Sequence, residues 1–298
     1  MSGENLQVDV RGAMVVGVDE SEAGRQALDW AADQADLEGC ALVLMHATGS
    51  LGTAGTTWLD SADPATSPVL QAMEHDGLEV VSAAAARVRT RHPQLRVELL
   101  VEADDPAIAL RDLADQAHLI VVGSHGRGWV RHLPTMQVGT RLSAKASCPV
   151  AVIPRHDVES DRRGVLVGAD LSEQSTPVLR YAYRQASLRD LPLTVAHFTK
   201  EHADSAVEDG QRLLGESVGG LAEEFPDVHV ALQVRSGSPK RQLLRLSDRM
   251  HLLVVGQHHA LRPYETPIGH VHTSIVDHAT CPVTVVPPPV PVTTPPDR

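Results

Sequence analysis

The chain has 298 residues, 42% of them apolar, enough to fill roughly two domain cores and to exclude wholesale disorder. Its 38 acidic against 26 basic residues leave a formal charge of −12, which repels nucleic acid and anionic lipid; the densest basic stretch is the short segment from Arg87 to Arg96. Three cysteines exclude a disulfide framework, 3% aromatics a base-stacking platform, and no apolar run nears the ~18 residues of a membrane span, so a reducing cytoplasm is the expected address.

In chain order, Ala13 to Val18 is a continuous apolar run, the pattern of a strand buried on both faces. Ser21 is placed to cap a helix through Leu37, whose Ala27, Trp30, Ala31 and Gln34 recur at helical spacing. Ala41 to Ala47 predicts a second strand. Thr48 to Pro68 reads TGSLGTAGTTWLDSADPATSP, and its turn chemistry predicts a long loop. Val69 to His92 predicts a helix closed by Pro93. Val97 to Val101 follows as a strand, and Pro106 opens a helix through Gln116. His118 to Val122 is the fourth strand, a helix runs from about Gln137 to Ala146, and Val150 to Ile153 is the fifth strand. The order then recurs, with strands at Val165–Ala169, Leu193–His197, His229–Val234, Leu252–Val255 and Val283–Val286. Strands alternating with helices predict α/β domains, each a parallel, doubly wound sheet. The expected bounds are 10–155 and 162–288. The tail, with six prolines in the twelve residues from Pro287 to Arg298, is expected to be extended and disordered from 289 onward.

The recurrence is close enough to align. Val15 to Ser21 resembles Leu166 to Ser172, which pairs Asp19 with Asp170 at an offset of 151, and His46 pairs with His197 at the same offset. Pro93 with Pro226, Pro106 with Pro239, Gly123 with Gly256, and Cys148-Pro149-Val150 with Cys281-Pro282-Val283 all share an offset of 133. One order of landmarks with one change of offset is a tandem duplication. The first copy carries about 18 extra residues between His46 and Pro93. Those residues leave the carboxyl end of the second strand, where α/β proteins bind ligands, so they are expected beside the first-copy cleft.

These landmarks resemble the universal stress protein family in its tandem form. The carriers are Val-Gly-Val-Asp near the first start, the histidine ending the second strand, Val-Val-Gly closing the fourth, and Cys-Pro-Val opening the fifth. The resemblance implies two Rossmann-like (adenine-nucleotide α-hydrolase-like) domains, each a five-stranded parallel sheet flanked by helices, arranged as a pseudo-two-fold pair. It implies pairing through the last strands, Val150–Ile153 with Val283–Val286, and allows a homodimer and a protein partner of unknown identity. Some members bind ATP, so ATP or AMP is the implied ligand, with no metal beyond a nucleotide-associated magnesium.

The family's phosphate motif is Gly, two residues, Gly, nine residues, Gly, then Ser or Thr. Its logic is physical: glycines let backbone N–H groups approach phosphate, and a helix start favours an anion. Asp19, Gly123, His125, Gly126 and Val138 are the implied binding residues of the first copy. Asp170, Gly256 and Gly269 are those of the second. Both copies depart from the pattern. In the first, Gly123 and Gly126 stand, but Met136-Gln137 replace the Gly-Ser pair. Gly139-Thr140 lies three residues late when counted from Cys148-Pro149-Val150. In the second, His259 replaces the second glycine and His270 the hydroxyl residue, while Gly269 remains. The expectation is weak adenine-nucleotide binding, mainly in the first copy, with little preference for ATP over AMP. The alternative is a nucleotide-free scaffold acting through protein contacts.

Other constellations are less specific. His258, His259, His270, His272 and His278 crowd the second loop. They read as solvated imidazoles, as a protonated contact to an anion, or as a zinc site. His46 and His197 read as structural, Cys148 and Cys281 as buried filler. No nucleophile elbow, Walker A sequence or zinc-protease motif occurs, so an enzyme is not expected.

Overall fold

The computed structural model describes residues 8–49, 68–124, 138–155, 163–172, 175–199, 204–257 and 271–289. The chain divides into two compact units, Met1–His156 and Asp157–Arg298.

In the first unit the elements are β1 (Met14–Gly17), α1 (Glu22–Glu38), β2 (Leu42–Ala47), α2 (Pro68–Arg91), β3 (Val97–Glu102), α3 (Pro106–Leu113), β4 (Leu119–Gly123), α4 (Val138–Ser143) and β5 (Val150–Ile153). The strands lie in the order β3-β2-β1-β4-β5, all parallel. Met14 aligns with Leu42 on one side and Leu119 on the other, so β1 is central and its apolar run has no solvent face. The order reverses direction between β1 and β4, which opens a crevice at the carboxyl ends of those strands.

Local chemistry sets the helix ends. Ser21 is extended, and its Oγ accepts from the Gly24 amide at 2.9 Å. Gly39 closes α1 in the left-handed region at φ +66°, where a side chain would be strained. Between these ends Ala23, Ala27, Leu28, Ala31 and Ala35 form a buried stripe, small enough for the helix to lie close on the sheet. The Asp105 carboxylate caps α3 by accepting from the Ala107 and Ile108 amides at 3.0 and 3.2 Å. That helix ends at Leu113, three residues earlier than its periodicity predicts. The chain turns there so that the Gln116 carbonyl accepts from the Gly12 amide at 2.9 Å, tying the helix exit to the approach of β1.

Charge lies along the α1–α2 seam. Arg87 donates twice to Asp29, at 2.7 and 2.6 Å, Arg91 lies 3.3 Å from Asp29 and from Asp33, and His92 reaches Asp33 at 2.8 Å. At the far end of α1 the buried Glu38 carboxylate accepts from Gln34 and, at 2.8 Å, from His118.

The second unit has β6 (Val165–Gly168), α5 (Ser175–Leu188), β7 (Leu193–Thr199), α6 (Asp204–Glu224), β8 (Val230–Ser236), α7 (Pro239–Ser247), β9 (Leu252–Gly256), α8 (Val271–His278) and β10 (Val283–Val286). Its order, β10-β9-β6-β7-β8, is the same topology, again wholly parallel. Both units therefore have the expected α/β class. One packing device recurs. A Cβ on Gly77 of α2 would sit 2.7 Å from Val101 Cγ1, and one on Gly210 of α6 would sit 2.9 Å from Val234 Cγ1. Each glycine lets the second helix rest on the edge strand. The charges do not recur: Arg180 of α5 pairs with Glu224 of α6, and Arg189 donates to Gln185.

Candidate functional site

Each unit ends its first strand in an aspartate held by a histidine. His46 Nδ1 lies 2.9 Å from the Val18 carbonyl, and His197 Nδ1 lies 2.9 Å from the Ala169 carbonyl. A carbonyl only accepts, so Nδ1 carries the proton in both rings. The bond fixes the backbone one residue before Asp19 and Asp170, a structural role.

In the first unit Asp19 Oδ1 accepts from the Ser21 amide at 3.0 Å and from Ser21 Oγ at 2.6 Å. Ser21 thus links the carboxylate to the start of α1. Among the described residues Oδ2 accepts nothing. Gly24 makes room for this arrangement: a Cβ there would stand 2.0 Å from Asp19 Oδ1. An open cleft of about 600 Å³ adjoins Asp19, lined by Val18, Leu28 and Val80 and rimmed by charged groups of α1 and α2. That volume lies within the roughly 300–1,000 Å³ of small-molecule sites.

Gly123 has a different reason for being glycine from the one its motif implies. A Cβ there would meet the Ala23 carbonyl carbon and oxygen at 2.6 Å and the Gly24 nitrogen at 2.9 Å. The end of β4 passes against the first-turn backbone of α1, which no side chain permits. Val138 opens α4, and the neighbouring Gly139 faces the sheet, where a Cβ would lie 3.0 Å from Val152 Cγ2. Gly139 is therefore a helix-packing glycine. His125 and Gly126, with Met136 and Gln137, lie outside the described residues, as does the insertion from 50 to 67.

In the second unit Asp170 is more fully engaged. Its Oδ1 accepts from the Ser172 amide at 3.0 Å, from Ser172 Oγ at 2.7 Å and from Ser175 Oγ. Ser175 stands where the first unit has Gly24, five residues after the aspartate. Leu171, the residue between, is held at φ +63°, a left-handed conformation that costs a leucine about 1–2 kcal/mol. Beside Asp170, at the ends of β6, β9 and β10, lies a cavity of about 30 Å³ lined by Gly168, Ser175 and Gly256. That volume is enough for one or two waters and too small for a nucleoside. Among the described residues a Cβ on Gly256 would meet only Val178 Cγ2, at 3.2 Å. Gly269, His258, His259, His270 and the tail from 290 lie outside the described residues. His272 is buried in α8, and His278 Nδ1 lies 2.9 Å from the Ser274 carbonyl.

Among the described residues no group of three or more His, Cys, Asp or Glu is placed to hold a metal, and no helix is long and apolar enough to cross a membrane. Cys148 is buried before β5, and desolvation pushes its thiol up to about 12, so it carries no thiolate at neutral pH.

The sequence profile of the universal stress protein family matches residues 11–154 and again 162–287. The chain belongs to the universal stress protein family. A universal stress protein of Mycolicibacterium smegmatis is 29% identical over 289 residues, spanning 92% of this chain and 97% of its own length. Universal stress protein Rv2623 of Mycobacterium tuberculosis is 29% identical over 293 residues, spanning 91% and 95%. A solved universal stress protein from Archaeoglobus fulgidus shares the fold, with a TM-score of 0.68 at 18% identity over 93% of this chain and 96% of its own. Within this universal stress protein, Gly24, Ser175 and the α2 rim are the residues that motif reasoning misses. Gly24 and Ser175 were within reach, since the 151-residue offset aligns them directly. The rim residues depend on how α1 meets α2, which no local pattern encodes.

Proposed function

We propose that this universal stress protein is a cytoplasmic, non-enzymatic regulator that binds an adenine nucleoside or nucleotide weakly, in the first unit. The observation that carries this reading is the Asp19 carboxylate, with one oxygen committed to Ser21 and the other open beside a cleft of about 600 Å³. A carboxylate at the end of a central strand can accept from ribose hydroxyls, and the Val18, Leu28 and Val80 wall can cover a base. Any magnesium would arrive with the phosphates. The second unit supports a different role: its aspartate is occupied by hydroxyls of its own chain, and its cavity is water-sized. We assign that unit to presenting surface to a protein partner.

Isothermal calorimetry with adenosine and AMP tests the assignment. The wild type should bind weakly, Asp170→Asn should bind equally well, and Gly24→Ser should lose about tenfold or more, because its side chain collides with the Asp19 carboxylate. Binding that survives Gly24→Ser but disappears with Asp170→Asn would place the site in the second unit. No binding by the wild type would leave the scaffold reading.

A further inference from the structure

We infer that the first-unit cleft selects against phosphate charge and takes a nucleoside-like ligand with no net negative charge, in preference to a nucleoside triphosphate. This rests on the adenine reading of the same site and narrows it. The observations concern which charges around the cleft are free. Four carboxylates line it, Asp19 and Glu20 from the β1–α1 turn and Asp76 and Glu79 from α2. Two guanidiniums line it, Arg25 and Arg87, and both are already engaged. Arg25 Nε and Nη2 donate to Glu22, at 3.3 and 2.8 Å, and its Nη1 donates to the Glu20 carbonyl at 2.7 Å. Arg87 donates in parallel to both oxygens of Asp29, at 2.7 and 2.6 Å.

A bidentate Arg–carboxylate pair is the arrangement a guanidinium would otherwise offer a phosphate, so a phosphate would have to displace Glu22 or Asp29 to gain it. Both carboxylates lie outside the lining and neutralise the two guanidiniums, so these do not offset the carboxylates that line the cleft. Hydrogen bonding to Arg25 holds Glu22 below the ordinary carboxylate range, and hydrogen bonding to Asp29 raises Arg87, so Glu22 and Arg87 stay charged at neutral pH. Among the described residues a ligand in the cleft therefore meets more carboxylates than free cations in its lining, and charges there act over about 8 Å at physiological salt. A neutral nucleoside loses nothing to this field. A triphosphate, with about four negative charges in the absence of magnesium, is repelled. The apolar Val18, Leu28 and Val80 remain to hold a base in either case.

The test compares adenosine, AMP and ATP by calorimetry on the full chain, without magnesium, at about 0.02 M and about 0.5 M salt. Asp76 and Glu79 are exposed on α2, so the double change Asp76→Lys with Glu79→Lys reverses the rim without disturbing the core. An unchanged thermal midpoint checks this. Adenosine should bind the wild type about tenfold or more tighter than ATP at low salt, with AMP between them. The gap should close at high salt, and the double lysine variant should favour ATP. ATP binding as tightly as adenosine at low salt would overturn the inference and leave the adenine reading standing. A preference for adenosine that neither salt nor the lysines change would also overturn it. Failure of all three ligands to bind would overturn both readings.

Discussion

Two aspartates end the first strands of the two units, at matched positions and each behind the same histidine bond, yet their surroundings differ. Asp19 shares one oxygen with Ser21 and is spared a third partner because residue 24 has no side chain. Asp170 takes Ser172 and Ser175 together, and the leucine beside it is held in a strained turn. A duplicated strand-end carboxylate is thus not by itself a binding site. What differs is how many partners the following turn gives the carboxylate, and that turns on one residue five positions on.

The comparison can be sharpened by substitutions made in pairs. The largest difference should come from the glycines that end β4 and β9. Gly123→Ala forces a methyl into the backbone of Ala23 and Gly24, which cannot give way, and should cost about 2–3 kcal/mol. Gly256→Ala meets one rotatable valine methyl and should cost under about 1 kcal/mol. Urea unfolding followed by circular dichroism measures both; equal costs would mean that β4 passes α1 less closely than the distances say.

A smaller effect should separate the caps of α3 and α7. Asp105 accepts two amides and pairs with Arg141 at 3.1 Å, whereas Ser238 is placed to cap α7 but makes no side-chain cap bond. Asp105→Ala should cost about 1 kcal/mol at neutral pH and Ser238→Ala almost nothing. Burial raises the Asp105 carboxyl, but its bonds from Arg141, Ile108 and Ala107 outweigh that and hold it below the ordinary range. A depressed folded-state value means the contribution is fully present above the unfolded value of about 4 and is lost as pH falls through the folded one. The wild type and Asp105→Ala should therefore converge in acid, and a difference that persists there would assign the cost to something other than the charge.

Much of the architecture was legible because its signals are local. Short valine-rich runs after a Cys-Pro turn place β5 and β10 at the bounds the structure shows, and the Ser21 cap is where sequence predicts it. The overshoot of α3 to Gln116 reflects a tightened turn, in which the Ala114 and Gln116 amides bond carbonyls three residues back, and a non-local bond from Gly12 to the Gln116 carbonyl that periodicity does not encode. The site was less legible for the same reason. Motif logic gives Gly123 to phosphate, yet the groups that crowd it belong to α1, a hundred residues earlier. Counting back from Cys148 sets Gly139 outside the motif, and the closeness of Val152 gives a packing reason for a glycine there. The acidic rim from α2 became visible only once that helix lay beside α1.

The reversed seam charges bear on how two near-copies in one chain avoid exchanging parts. Asp29 and Asp33 on α1 correspond, at the 151-residue offset, to Arg180 and Arg184 on α5. Across the seam, Arg91 of α2 corresponds to Glu224 of α6 at the 133-residue offset. During synthesis α1 and α2 emerge first, and α5 then arrives with α2 still within reach, the setting in which repeats domain-swap. An α5 docked on α2 would set Arg180 against Arg91, and an α1 docked on α6 would set Asp29 against Glu224. Each surface pair adds little to stability at 25 °C, but at this position either wrong docking sets like charge where the right one meets its opposite. Changing Arg180 and Arg184 to Asp, and Glu224 to Arg, should keep an opposite-charge pair across each seam and raise the fraction of swapped species on refolding, read by size-exclusion chromatography.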